Sequence, residues 1–169
     1  MKKKSVSMLL ATAMVMSLLT GCGSKNNASE APAEDNTQQT ASVQQEQSQT
    51  EKALALINTF ATGDTDTARS LLADGYIQHN LAYGTGADAF IGSVEYLASA
   101  DVKTTVNNIR AFEDGDKVFL QTIYNFAGAG EQVAFDIFRF DENGKIAEHW
   151  DVMETIADQS TWQNQNGKF

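Results

Sequence analysis

The spacing of hydrophobic residues changes once along the second half of the chain. Between Glu51 and Ser99 apolar residues recur every three or four positions. Leu54, Ile57 and Ala61, with Leu56 and Phe60, predict a helix from about Glu51 to Thr62, ended by Gly63. Asp64 or Thr65 can cap a second, short helix carrying Ala68, Leu71 and Leu72, stopped by Gly75. A third helix is predicted over about Ala87–Ser99, with Ala87, Phe90, Ile91, Val94 and Leu97 on one face. These stripes read as core. After Ala100 four strand-like segments follow, about Val102–Phe112, Lys117–Phe126, Glu131–Phe140 and Lys145–Met153. Asp114-Gly115 and Asn143-Gly144 mark hairpins, and Gly128 and Gly130 mark the turn between them. Helices followed by an antiparallel meander make an α+β domain over residues 51–169, with the N-terminal helices packed on one face of a curved sheet. Such a sheet, half covered by helices, can enclose a pocket.

The chain's beginning follows a different pattern. Lys2, Lys3 and Lys4 precede an apolar run from Met8 to Leu19. That run is too short to span a membrane, which takes about 20 residues. It reads as a secretory signal peptide over residues 1–21. Its end, Leu19-Thr20-Gly21-Cys22, resembles the bacterial lipobox. The resemblance implies cleavage before Cys22, lipid attachment there, and an exported protein anchored to the membrane. Cys22 is the only cysteine, and lipidation explains a lone Cys in an exported chain. Residues 22–50 read as a lipidated Cys followed by a flexible tether. From 23 to 50 the stretch is polar, with Val43 as its one large apolar residue.

Composition narrows the chemistry. The 169 residues hold 12 basic and 22 acidic side chains, a formal charge of −10. Losing residues 1–21 removes three Lys and no acid, so the remainder is more acidic still. That argues against nucleic acid as a partner, and it leaves the lipid to anchor the protein without a basic patch. A single Cys excludes a disulfide scaffold and a cysteine-based zinc site. There is no nucleophile-elbow motif, and Gly84, Gly86 and Gly92 do not make a phosphate loop.

Register arithmetic predicts which strand residues share a face. A two-residue turn at Asn143-Gly144 sets Arg139 opposite Glu148, an attractive cross-strand pair, and Ile137 opposite Trp150. On the other face Phe138 opposes His149 and Asp136 opposes Asp151. A four-residue loop keeps these faces, whereas a three-residue loop with a bulge at Gly144 flips one strand against the other. If Phe126 opposes Glu131 across a four-residue turn, Gln121 falls opposite Asp136 and Phe119 opposite Phe138. One face then carries Gln121, Asp136, His149 and Asp151 among Phe119, Ile123, Phe138 and Phe140. Ionisable groups among aromatics on one concave face fit a small-molecule site. The competing reading is the solvated face of the sheet.

Several segments together resemble a known family. They are Gly63-Asp64, Leu71-Leu72-Ala73-Asp74-Gly75-Tyr76-Ile77-Gln78-His79-Asn80, Asp136-Ile137-Phe138-Arg139-Phe140, Asn143-Gly144-Lys145-Ile146-Ala147-Glu148-His149-Trp150-Asp151-Val152, and the closing Asn166-Gly167-Lys168-Phe169. Over residues 51–169 the chain resembles the SnoaL-like polyketide-cyclase family of the nuclear transport factor 2-like superfamily. The resemblance implies a cone: a strongly curved sheet around a deep pocket closed by helices, often in a homodimer. It implies acid–base catalysis with no metal and no cofactor. Asp151 matches the family's acid on the last strand, and Asp136 matches a pocket position on the strand before it. His79 and His149 fall in the family's polar segments, and Tyr76 in the Tyr-Ile-Gln-His-Asn segment that would line the pocket. The chain departs from the family where relatives carry His in the third strand, here Gln121 and Ile123, and where Pro follows His-Asn, here Leu81.

On this reading Asp151 takes a proton next to a carbonyl, and His149 or His79 gives or accepts one. Asp136 facing Asp151 would make the two acids titrate together. The plainer alternatives are solvated acids, or acids hydrogen-bonded to Gln121 and His149, and a His79 bonded to backbone at a helix end. Asn80 reads as a turn residue, and Trp150 as outer-face core or dimer contact. The two His and two Asp have the ligand types of a metal site, but no spacing motif demands one. Three function classes stay open: a cofactor-independent isomerase, cyclase or hydrolase; a non-catalytic pocket for a small apolar molecule; and a dimeric interaction module. The leader yields a first prediction. Cys22→Ser is expected to move the protein out of the membrane fraction on cell fractionation, and unchanged membrane association would refute lipid anchoring at Cys22.

Overall fold

The structure, a computed structural model, describes residues 47–169. The leader, Cys22 and the tether as far as residue 46 lie outside the described residues. Three helices are α1 (Gln49–Thr62), α2 (Thr65–Leu71) and α3 (Ala87–Ser99). Five strands are β1 (Leu72–Gln78), β2 (Thr105–Asp114), β3 (Lys117–Asn125), β4 (Gln132–Phe140) and β5 (Ile146–Thr155). They form one sheet in the order β1-β5-β4-β3-β2. The helices pack on one of its faces, so the domain is α+β with a mixed sheet. Among the described residues no helix is long and apolar enough to cross a membrane.

Helix α1 starts two residues earlier than the apolar spacing indicates, inside the expected tether. Ser48 caps it: its side chain accepts from the Glu51 N–H, while the Glu51 carboxylate accepts from the Ser48 N–H, a reciprocal capping box. Gly63 ends the helix in the left-handed region, φ 74°, and its N–H closes on the Thr59 carbonyl. Asp64 caps α2 through the Thr67 N–H. Ala53, Leu56 and Ile57 of α1 and Phe90, Ile91 and Val94 of α3 bury against Val118, Leu120, Phe138 and Ile146 of the sheet. Each such large side chain contributes about 1.5–3 kcal/mol on burial.

The expected all-antiparallel meander is incomplete, because β1 runs parallel to β5 at the sheet edge. The second helix, expected to carry Leu72 and stop at Gly75, ends at Leu71, and Leu72 opens β1; Asp74 and Gly75 lie exposed in that strand, as a break at an irregularity between the paired positions Leu72 and Ile77. The strand forms around that defect because Tyr76 is buried and because Ile77 and Gln78 pair with Glu148 and His149.

Two hairpins set the faces. Between β4 and β5 the turn is the three-residue kind: Gly144 N–H donates to the Asp141 carbonyl and Asp141 N–H to the Lys145 carbonyl. That turn shifts the register, and Phe140 pairs with Ile146. Ala147 then enters as one extra residue in β5, so Arg139 pairs with Glu148, Phe138 with His149 and Asp136 with Asp151. The two offsets cancel, and the facing pairs are those expected from a two-residue turn.

Between β3 and β4 the expected register fails by one residue. Leu120, not Gln121, faces Asp136, and Val118, not Phe119, faces Phe138. The connection from the last pair, Tyr124 with Gln132, holds seven residues rather than four. Phe126 leaves the strand in a 3-10 turn to stack on Tyr124, with ring centroids 4.9 Å apart, and to meet Phe60 edge-on at 5.7 Å. An odd-length connection inverts the faces of β3 relative to β4.

Gly63 yields the prediction for the fold. A Cβ there would meet the Ala98 Cβ at 2.8 Å, on a backbone with φ 74°. Gly63→Ala is expected to lower stability by about 1–3 kcal/mol, read as a reduced urea midpoint with unchanged slope. An unchanged midpoint would contradict this account of the α1–α3 approach.

Candidate functional site

Strand β5 lies second from the edge, between β1 and β4, so three strands converge on one polar cluster. His149 and Asp151 of β5 point to the helix-covered face with Asp136 and Phe138 of β4. Gln78, at the end of β1, lies beside His149, and Asn80 follows in the next loop. Gln78, Asp136, Phe138, His149 and Asp151 line a cavity of about 730 Å³. Its apolar wall includes Phe60, Phe90, Tyr96, Tyr124, Phe126 and Phe138. Neither Lys nor Arg is among the lining residues.

The hydrogen bonds assign protons. Gln78 Oε1 accepts the Asn80 N–H at 2.9 Å, which fixes the orientation of its amide. The same oxygen lies 3.1 Å from His149 Nδ1, so Nδ1 carries a proton. His149 Nε2 lies 3.2 Å from Asp136 Oδ1, both buried. Two lone pairs would repel at that distance, so one proton is shared between them. Whichever atom holds it, the His149–Asp136 pair is neutral in sum. Phe138 stacks on the His149 ring at 4.5 Å and keeps it in place. Tyr124 Oη donates to Asp136 Oδ2 at 3.0 Å. Burial, then the neighbouring Asp136 carboxylate, holds the Tyr124 hydroxyl well above its usual range, so it remains a donor. Burial first, then Asp151 and Asp136, raise Tyr76 in the same way.

Asp151 is held separately. Asn80 Oδ1 accepts the Ala82 N–H at 2.9 Å, which turns Asn80 Nδ2 toward Asp151. That nitrogen donates to both Asp151 oxygens, at 2.7 and 2.9 Å. Asn80 thus holds the expected turn and also orients the carboxylate. Although Asp136 and Asp151 are paired in the sheet, no hydrogen bond joins them. Asp136 bonds to His149 and Tyr124, and Asp151 to Asn80.

Other expected site residues sit elsewhere. His79 faces outward: its Nε2 lies 3.0 Å from Glu148 Oε2, and its ring stacks on Trp150 at 4.4 Å. The alternation of β1 carries Gln78 inward instead, the position that sequence reasoning missed. Phe119, Gln121 and Ile123 lie on the outer face because of the inverted β3 register. Gln121 there donates to the Lys168 carbonyl at 2.7 Å. Phe140 and Tyr76 are buried in the core and do not line the cavity. The chemistry-bearing residues absent from the expected set are Gln78, Asn80 and Tyr124. Asn80 and Gln78 stand in the Tyr-Ile-Gln-His-Asn segment, so the segment was a signal without the right residue singled out.

Asp136, His149 and Asp151 also offer donor atoms within 4.8 Å of one another, a set whose types suit a divalent cation. A cation bound by all three would have to displace the proton shared by His149 and Asp136.

Residues 53–149 match the SnoaL-like domain family. Among solved structures, the chain is similar to an NTF2-like protein of unknown function from Cytophaga hutchinsonii, with 16% identity and a TM-score of 0.56 over 66% of this chain and 94% of that one. It is similar to wild-type IdmH from Streptomyces antibioticus, described as a candidate polyketide cyclase, with 18% identity and a TM-score of 0.52 over 64% and 93% of the two chains. A third similar structure is an LEH-like epoxide hydrolase from M. tuberculosis, with 18% identity and a TM-score of 0.53 over 61% and 80%. No curated protein matches the chain.

The outward cluster gives a pH prediction. His79, then Arg139, hydrogen-bond to Glu148 and hold its carboxyl below the ordinary 4.5. A lowered folded value adds stability above the ordinary pKa, and that stability is lost as pH falls through the folded value. The pair is near the surface, so its worth is about 1 kcal/mol or less. Glu148→Gln is expected to be less stable than wild type at pH 7, with the gap narrowing as pH falls below 4.5, by urea unfolding across that range. A constant gap would refute the linkage.

Proposed function

The chain belongs to the SnoaL-like domain family, and we propose that it binds a small, largely apolar molecule in the cavity and acts on it by acid–base chemistry without a cofactor. The observation that carries this reading is the division of labour on the cavity floor. One neutral His149–Asp136 pair shares a movable proton, and one carboxylate, Asp151, is oriented by Asn80 and free to accept another. Asp151 is the base. His149, on the same face of β5, passes a proton to or from the substrate, and Asp136 balances it. Tyr124 stays protonated and keeps Asp136 aimed at the imidazole. The cyclase and epoxide-hydrolase descriptions of similar structures support a reaction of isomerase, cyclase or hydrolase type.

The leader supports an exported protein with a lipid on Cys22, holding the domain at the outer side of a membrane. A substrate made inside the cell would not reach it there, which favours hydrolase-like work or ligand capture over a biosynthetic cyclisation. The outer sheet face supports a homodimer: Phe112, Phe135 and Val152 are exposed there, and Phe119 is half-covered beside them.

The test is Asp151→Asn, which keeps size and removes the base. On a panel of carbonyl, epoxide and ester compounds, a substrate of the wild type is expected to turn over ~10²–10⁴-fold more slowly in the variant. Equal turnover would refute the role of Asp151. A wild type that binds panel members yet converts none would establish the binding-module reading instead.

A further inference from the structure

The charge left on the cavity wall says something about the ligand. His149 and Asp136 together are neutral, because one proton lies between Nε2 and Oδ1 and Nδ1 is already protonated toward Gln78. Tyr124, the remaining partner of Asp136, is a neutral donor. Asp151 has one partner, the uncharged Asn80 amide, and no cation within ion-pair distance among the described residues. No Lys or Arg lines the cavity. Among the described residues Asp151 is therefore the one charge without an ion-pair partner on a wall that is otherwise neutral in sum and largely apolar and aromatic. A half-buried carboxylate without a counter-ion is costly in such surroundings, and a bound cation relieves that cost. The aromatic residues that line the cavity, Phe60, Phe90, Tyr96, Tyr124, Phe126 and Phe138, suit the apolar body of such a ligand.

We propose that the ligand of this cavity is an amine: an apolar, ring-sized body carrying a protonated nitrogen that pairs with Asp151. The proposal deepens the small-molecule reading above and rests on it. The body occupies the space between α3 and the sheet, where Ala89, Gly92 and Ser93 keep the helix wall small. The ammonium donates to the Asp151 oxygens beside the bonds from Asn80. The cavity volume of about 730 Å³ is large enough for a drug-sized molecule.

Three matched probes test the idea by calorimetry on the full chain at pH 7: 2-naphthylmethylamine, 2-naphthalenemethanol and 2-naphthoate. The amine is expected to bind at least about 10-fold more tightly than the alcohol, with the carboxylate weakest. Asp151→Asn is expected to abolish the preference for amine over alcohol while alcohol binding persists, which shows that the variant is folded. Asp116→Asn, an exposed acid outside the cavity, is expected to keep the preference and so separates a local pair from net charge. Equal binding of amine and alcohol to wild type, or a preference that survives Asp151→Asn, overturns the amine assignment and leaves the small-molecule reading intact. Failure of all three probes to bind overturns both.

Discussion

One extra residue in the last strand decides which side chains meet the cavity. Without Ala147 the offset of the three-residue turn would persist along β5, and Asp136 would face Trp150 instead of Asp151. Because side chains alternate with period two, that slip would turn His149 and Asp151 outward and Glu148 and Trp150 inward. The bulge is itself held from both sides. Ile146 is fully buried in the core below it, and Arg139 pairs with Glu148 above it. The Arg139–Glu148 pair and the Phe138–His149 stack thus lock the same register from opposite faces of the sheet.

That register also determines the chemistry. A buried imidazole between an amide oxygen and a carboxylate needs one proton on each contact if no pair of acceptors is to meet. Gln78 sets the proton on Nδ1 through an amide whose own orientation is fixed by a backbone N–H. The cost of burying unpaired polar groups makes such a network strict. Asp151 stands outside it, tied to the β1 loop by the Asn80 amide.

The two faces of the sheet serve different ends. The inner face, covered by helices, buries Leu120, Tyr124 and Phe138 and encloses the cavity. The outer face keeps His79, Trp150 and Glu148 together as a stacked and ion-paired cluster at the β1–β5 side, while Phe112 and Phe135 are exposed on the same face further across the sheet. A histidine one residue from Gln78 therefore belongs to a different environment altogether, because consecutive strand residues point to opposite sides.

Local patterning along the chain specifies the helices, four of the five strands and the β4–β5 facing pairs. Period-3.6 stripes, Gly63, Asp64 and the Asn-Gly turn are local signals, and each acts within a few residues of where it is written. The Arg139–Glu148 pairing was legible for the same reason, since both sit within one short hairpin. Tertiary structure alone decided the rest. Strand β1 forms only because β5 and the core offer it partners across the Asp74-Gly75 break. The β3 face depends on Phe126 finding Tyr124 and Phe60, a contact no turn rule contains, and so Phe119, Gln121 and Ile123 left the site. Gln78 and Asn80 entered it because a strand about 70 residues earlier in the chain runs parallel beside His149. Local propensity cannot specify such a neighbour: it is chosen by the burial that the whole sheet achieves.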